Sequence, residues 1–119
     1  MIRLEIPVVP RGPNGPKGLL RMHWAQRRKY IQSWDWMVRA AMGWPCLYED
    51  PPARARVNIT QHRKRLLDTD NLYSSLKPVL DALIRNQLIR DDSPQSCVLE
   101  AKQVKASSLR TVIEIEECQ

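Results

Sequence analysis

The sequence predicts an α+β fold: one domain, residues 1–119, with a small mixed β-sheet packed by two main helices. Three observations carry this expectation. Four short runs alternate apolar and polar side chains, the period of a strand with one buried face. Two longer segments repeat their apolar residues at helical spacing. No internal repeat occurs, and no linker is long enough to divide the chain, whose length suffices for one modest core.

Ile2 to Val9 alternates and ends in Val-Val-Pro, a short strand closed by Pro10. Residues 10–18 contain three Pro and three Gly and read as a loop. From Leu20 to Met42, Trp24, Ile31, Trp34, Met37, Val38 and Met42 fall near helical spacing, and Arg21, Arg27, Arg28, Lys29 and Arg39 share the segment. Its tryptophans, Trp24, Trp34 and Trp36, suit either base stacking or a core, and the spacing favours core packing for at least two of them. His23 reads as structural. Gly43 to Pro52 carries three prolines and is a second loop.

Arg54 to Arg63 alternates again, with Arg56, Asn58, Thr60 and His62 on one face and Val57 and Ile59 on the other. Leu72, Leu76, Val79, Leu80, Leu83, Ile84 and Leu88 then mark a core-facing helix. Pro78 interrupts it, so either the regular helix starts near Ser74 or Ser75 as N-cap, or it bends at Pro78. The last two alternating runs, Cys97 to Lys105 and Arg110 to Glu116, read as a β-hairpin around residues 106–109.

Charge is divided along the chain. Residues 1–65 hold 13 Lys/Arg against 4 Asp/Glu, whereas residues 66–119 hold 6 against 9. A basic half suits a polyanion, and an acidic half beside it suits an enzyme that attracts a phosphodiester and holds a metal against it. No run of about 18 apolar residues marks a membrane helix. The N-terminus places charges inside its apolar stretch and lacks a signal-peptide core. No membrane partner and a cytoplasmic location are expected. Cys46, Cys97 and Cys118 lack zinc-site spacing and are expected as reduced thiols, two of them buried.

The chemistry centres on Asp68-Thr69-Asp70-Asn71 and on Asp91-Asp92 beyond the helix. On an extended backbone Asp68 and Asp70 point to one face. A strand end, a helix and the following loop can bring four carboxylates together, and hard divalent cations take such oxygen ligands. Taken singly, these residues read as a cap at Asp70, a turn at Asp91 and an ion pair between Lys77 and Asp81. As a set, Asp68, Asp70, Asp91 and Asp92 point to Mg²⁺ or Mn²⁺. Such an ion polarises a phosphoryl oxygen and activates water. Lys77, counted onto Asp70's helix face, would stabilise charge in the transition state. Arg27, Arg28 and Lys29, with Arg63, Lys64 and Arg65, are candidate contacts to DNA phosphates.

At these residues the chain resembles the RusA family of Holliday junction resolvases. Asp68-Thr69-Asp70-Asn71-Leu72 is similar to the family's Asp-x-Asp-Asn motif, Lys77-x-x-x-Asp81-Ala82-Leu83 to its Lys-x-x-x-Asp-Ala-Leu segment, and Ile89-x-Asp91-Asp92 to its closing Asp-Asp. The resemblance covers about residues 63–105 in motif and the N-terminal half in organisation. It implies a RusA-like fold and a Mg²⁺-dependent homodimeric endodeoxyribonuclease. That enzyme resolves four-way junctions by paired symmetric nicks in DNA recombination and repair. Asp68, Asp70 and Asp92 would be catalytic metal ligands, Asp91 a ligand or a hydrogen-bond partner of the ligands, and Lys77 the catalytic lysine. In the family pattern the lysine follows the second aspartate by four residues, and here by seven. Three residues are close to one helical turn, so the face is kept with a displacement of about 4.5 Å along the axis. The rivals are another metal-dependent structure-specific nuclease of the same fold and a non-catalytic nucleic-acid-binding module.

Overall fold

Alternation becomes four strands: β1 (Ile2–Ile6), β2 (Ala55–Arg63), β3 (Cys97–Lys105) and β4 (Arg110–Glu117). The computed structural model describes residues 1–13, 18, 22–43 and 50–118. Leu20, Arg21 and Cys46, and part of each proline-rich loop, fall outside them. The sheet order is β1-β4-β2-β3, with β2 and β3 parallel and the other pairs antiparallel. Register lines up inward-facing rows across all four strands, such as Leu4, Ile113, Ile59 and Ala101. Arg56, Asn58, Thr60 and His62 lie on the opposite face, as the alternation of β2 requires. β1 stops at Ile6, short of the expected Val9, because Pro7 has no N–H to give a ladder.

The expected hairpin does not form. β3 and β4 both pair with β2, on opposite sides, and not with each other. β2 and β4 are the two central strands, each hydrogen-bonded along both edges, and Val57 and Ile59 of β2 are fully buried. The helical segment between β2 and β3 provides the long crossover that a parallel pair needs. Residues 106–109 then only have to step over one strand, about 10 Å, within the reach of four residues. Ala106 N–H donates to the Arg63 carbonyl, 2.8 Å, at that crossing.

One helix, α1 (Trp24–Met42), and a second, bent one pack on the inner face. Trp34 and Val38 of α1 are fully buried, but Trp24 and Trp36 are exposed. Only one of the three tryptophans is therefore core. Trp36 is two positions from Trp34, about 200° around the helix, so the two cannot share a buried face. His23 caps α1: its Nδ1 accepts from the Ala25 N–H, 3.3 Å. The expected helix over 72–88 is two pieces, α2 (Thr69–Ser74) and α3 (Lys77–Arg85).

The break lies at Ser75-Leu76, before Pro78 rather than at it. Ser75 is fully buried, and its hydroxyl donates to the Leu72 carbonyl (2.6 Å) while accepting from Gln61 Nε2 (3.2 Å). Pro78 then sits in the first turn of α3, where its missing N–H costs nothing. Leu76, Val79, Leu80, Ala82 and Leu83 pack against the sheet. α3 closes with paired bonds from Leu88 N–H to Leu83 and from Gln87 N–H to Ile84, with Gln87 at φ 62°. Cys97 is buried and Cys118 half-buried, both as free thiols.

Candidate active site

Three local devices set the positions of the acidic residues. First, Arg63 at the end of β2 turns inward, 8% exposed. Its Nε donates to Gln61 Oε1 (2.6 Å), and its guanidinium donates to the Pro10 carbonyl. Burial lowers its pKa from the usual arginine value. Arg63 was expected among the DNA contacts; its charge is instead spent holding the loop after β1 against the sheet. Lys64 and Arg65 remain exposed.

Second, the Gln103 amide of β3 clamps the backbone of Leu67, accepting from its N–H (2.9 Å) and donating to its carbonyl (2.5 Å). Asp68 follows at once and caps α2. Its Oδ1 accepts from the Asn71 N–H at 2.9 Å and its Oδ2 from the Asn71 amide at 3.2 Å. The cap is therefore Asp68 and not Asp70, which is exposed in the first helical turn. The extended backbone on which the same-face expectation rests ends at Asp68, because Thr69 and Asp70 are already helical, so strand alternation does not relate the two side chains.

Third, buried Leu88 and Ile89 anchor the loop before β3. The Ser93 carbonyl accepts from the N–H groups of Ser96 (3.0 Å) and Cys97 (2.8 Å), and Asp91 Oδ1 accepts from the Asp92 N–H (2.8 Å). Asp92 is thereby aimed at α3. Lys77 Nζ lies 2.8 Å from Asp92 Oδ2 and 3.2 Å from Asp81 Oδ1. The hydrogen bond from Lys77 holds the Asp92 carboxyl below the usual carboxylate range. The hydrogen bond to Asp92, then that to Asp81, raises the Lys77 ammonium above the usual lysine value.

Lys77 and Asp81 open onto a cleft of about 490 Å³ whose walls also include Arg27, Ile31, Ser74, Pro13 and Pro78. Of the DNA-contact candidates on α1, Arg27 thus faces the same cleft as Lys77. Arg28 and Lys29 are exposed on the helix. The bend explains why Lys77 meets Asp92 and not the Asp-x-Asp: after Ser75 the count along a single straight helix from Asp70 no longer holds.

The carboxylates suit a hard cation by type, but their placement does not gather them around one. Asp92 holds a lysine and Asp68 caps a helix. Among the described residues, no three His, Cys, Asp or Glu side chains are grouped so as to hold a metal ion. What is assembled is a cation, Lys77, between two carboxylates at a cleft with a second cation, Arg27. Gln103 and Gln61, which help fix this geometry, carried no sequence signal, whereas Ser75 was read as a candidate N-cap and bonds instead to Leu72 and Gln61. A lone amide on an alternating strand looks like any other polar residue.

No helix of the described residues is long and apolar enough to cross a membrane. No protein-family model and no curated protein matches the chain.

Proposed function

We propose that the chain is a RusA-like, Mg²⁺-dependent endodeoxyribonuclease that acts as a homodimer in the cytoplasm and resolves four-way DNA junctions. The observation that carries the reading is the Lys77–Asp92 contact, 2.8 Å, at the mouth of a cleft that also holds Arg27. The motif resemblance gives each of these two residues a catalytic role, from segments fifteen positions apart. Their contact supports that assignment. A phosphate entering the cleft meets Arg27 and Lys77, both positively charged. Lys77, kept protonated by its two carboxylates, would donate to a phosphoryl oxygen as charge builds up there. By carboxylate chemistry and by the motif resemblance, and not by their present grouping, Asp68, Asp70, Asp91 and Asp92 are the residues that would hold Mg²⁺ or Mn²⁺. When bound, the ion supplies a polarised phosphoryl oxygen and an activated water. Two symmetric nicks on a near-twofold junction call for two equivalent sites, which a C₂ dimer provides.

A second reading, a nucleic-acid-binding module without catalysis, is favoured by one observation. Asp68 is committed to capping α2, as a purely structural aspartate is. A synthetic four-way junction incubated with the chain and Mg²⁺ separates the two. Paired symmetric nicks support the resolvase. Nicks in flaps or single strands but not in junctions support a different nuclease, and binding without cleavage supports the module.

A further inference from the structure

Trp24 and Trp36 stand in solvent on α1, 71% and 67% exposed, on either side of the fully buried Trp34. Large aromatic rings left this open on a charged helix mark a surface that contacts something. A basic or ionisable side chain lies beside each ring. The Arg39 guanidinium lies 5.7 Å from the centre of the Trp36 ring, and the His23 ring lies 5.6 Å from that of Trp24. Between the two rings run two hollows. One, about 390 Å³, has Trp24, Arg27 and Arg28 among its walls; the other, about 420 Å³, has Trp36 and Arg39. Both include Gln32 and Asp35, so they meet. The first also shares Arg27 and Ile31 with the cleft at Lys77, which makes one furrow from Trp36 to the candidate active site.

The furrow is electropositive. Among the described residues lining the two hollows Asp35 is the one carboxylate, and Arg85 Nε lies 2.9 Å from both its oxygens; farther along, Asp81 at the cleft is paired with Lys77. Arg27 and Arg28 are exposed on it. Charge decides between occupants. A partner helix, or a second copy docking by apolar contact, needs an apolar stripe, and here Arg, Gln and Asp separate the rings. Duplex DNA keeps its bases stacked and out of a tryptophan's reach. We propose that this furrow binds a single strand of nucleic acid, with bases stacked on Trp24 and Trp36 and phosphates on Arg27, Arg28 and Arg39. Twelve residues of helix set the two positions about 18 Å apart along the axis and about 120° apart around it. At a stacked spacing of about 3.4 Å that is about five nucleotides, within the site sizes of about 4–16 usual for such surfaces. The site stands independently of the cleavage reading, since binding needs neither metal nor chemistry.

The test uses the full chain without divalent metal and a fluorescently labelled oligo(dT) of about twelve nucleotides, beside a duplex of equal length. Wild type is expected to prefer the oligo(dT) and to lose tryptophan fluorescence on binding it. Trp24→Ala and Trp36→Ala each weaken oligo(dT) binding about tenfold or more. The Leu variants weaken it as the Ala variants do, and the Phe variants retain most of it. Arg28→Ala lowers the slope of log affinity against log salt by about 0.7. Unchanged affinity in the Trp24→Ala/Trp36→Ala double variant, or full affinity in the Leu variants, overturns the proposal. So does a wild-type oligomer that the double variant converts to monomer without loss of oligo(dT) affinity. A chain that binds oligo(dT) through these rings and nicks nothing keeps this site and loses the resolvase reading.

Discussion

Lys77 Nζ lies 2.8 Å from Oδ2 of Asp92, joining the first turn of α3 to the loop that precedes β3. The lysine side chain is 65% exposed and the aspartate 27%, so the pair faces the cleft from the surface and is not a core ion pair. Exposed pairs of this kind contribute about 0–1 kcal/mol to stability. The contact is therefore better explained by what it positions than by what it stabilises.

Lys77→Ala separates these roles. Thermal melting should change little. Nicking of a four-way junction should fall by roughly 10²-fold or more, the usual loss when one preorganised transition-state donor is removed. Junction affinity measured without metal should stay near wild type, because Lys64, Arg65, Arg28 and Lys29 are untouched. Wild-type nicking in the variant would return Lys77 to a plain ion pair with Asp81 and Asp92.

The same contact predicts a titration. Asp92 has a depressed folded pKa, so its pairing contributes stability that is present above the unfolded carboxylate value, about pH 4. That contribution is lost as pH falls through the depressed folded value. Lys77 is shifted upward, so its share is present below the usual lysine value and lost as pH rises through the raised one. In Lys77→Met, the Asp92 carboxyl carbon followed by NMR should titrate at higher pH than in wild type. An unchanged midpoint would show that the two groups are not paired in solution.

Arg63 and its neighbours Lys64 and Arg65 should behave in opposite ways. Arg63→Ala leaves the Gln61 amide and the Pro10 carbonyl without their donor, and a buried unpaired polar group costs about 1–3 kcal/mol. Arg63→Lys should recover little, since an ammonium cannot span both acceptors as a guanidinium does. Lys64→Ala and Arg65→Ala should leave the melting temperature near wild type and weaken DNA binding, each reducing the salt slope by about one. A stable Arg63→Ala with weakened DNA binding would restore Arg63 to the interface.

Periodicity made much of this legible. Val57 and Ile59 inward against Asn58 and Thr60 outward follows from a period of two, and Leu76, Val79, Leu80 and Leu83 inward follows from 3.6. What stayed hidden depends on contacts between distant segments. Ser75 ends α2 because Gln61, on another element, reaches its hydroxyl, and nothing local announces that. Strand order depends on β2 taking the centre, a competition that the separate patterns of β3 and β4 do not record. The Asp-x-Asp geometry turned on a single cap: with Asp68 capping α2, Asp70 falls in its first turn, and strand alternation no longer describes the pair. Lys77 and Asp92 were each singled out but not as a contact: spacing offered only the ion pair of Lys77 with Asp81, and the helix-face count aimed Lys77 toward the Asp-x-Asp.

Asp68 allows structure and chemistry to be told apart at one position. As N-cap it accepts the Asn71 N–H, and replacing a capping aspartate by alanine costs about 0.5–2 kcal/mol. Serine caps nearly as well, so Asp68→Ser should melt close to wild type and Asp68→Ala several degrees lower. If Asp68 is also a metal ligand, both variants lose junction nicking alike, because a hydroxyl does not replace a carboxylate at a hard cation. If the cap is its whole role, Asp68→Ser nicks as wild type does. Asp70→Asn is the companion: exposed in the first turn and bonded to nothing among the described residues, it should leave stability near wild type while abolishing nicking. Normal nicking in both Asp68→Ser and Asp70→Asn would remove the Asp-x-Asp from the chemistry and leave Lys77, Asp81 and Asp92 as the site.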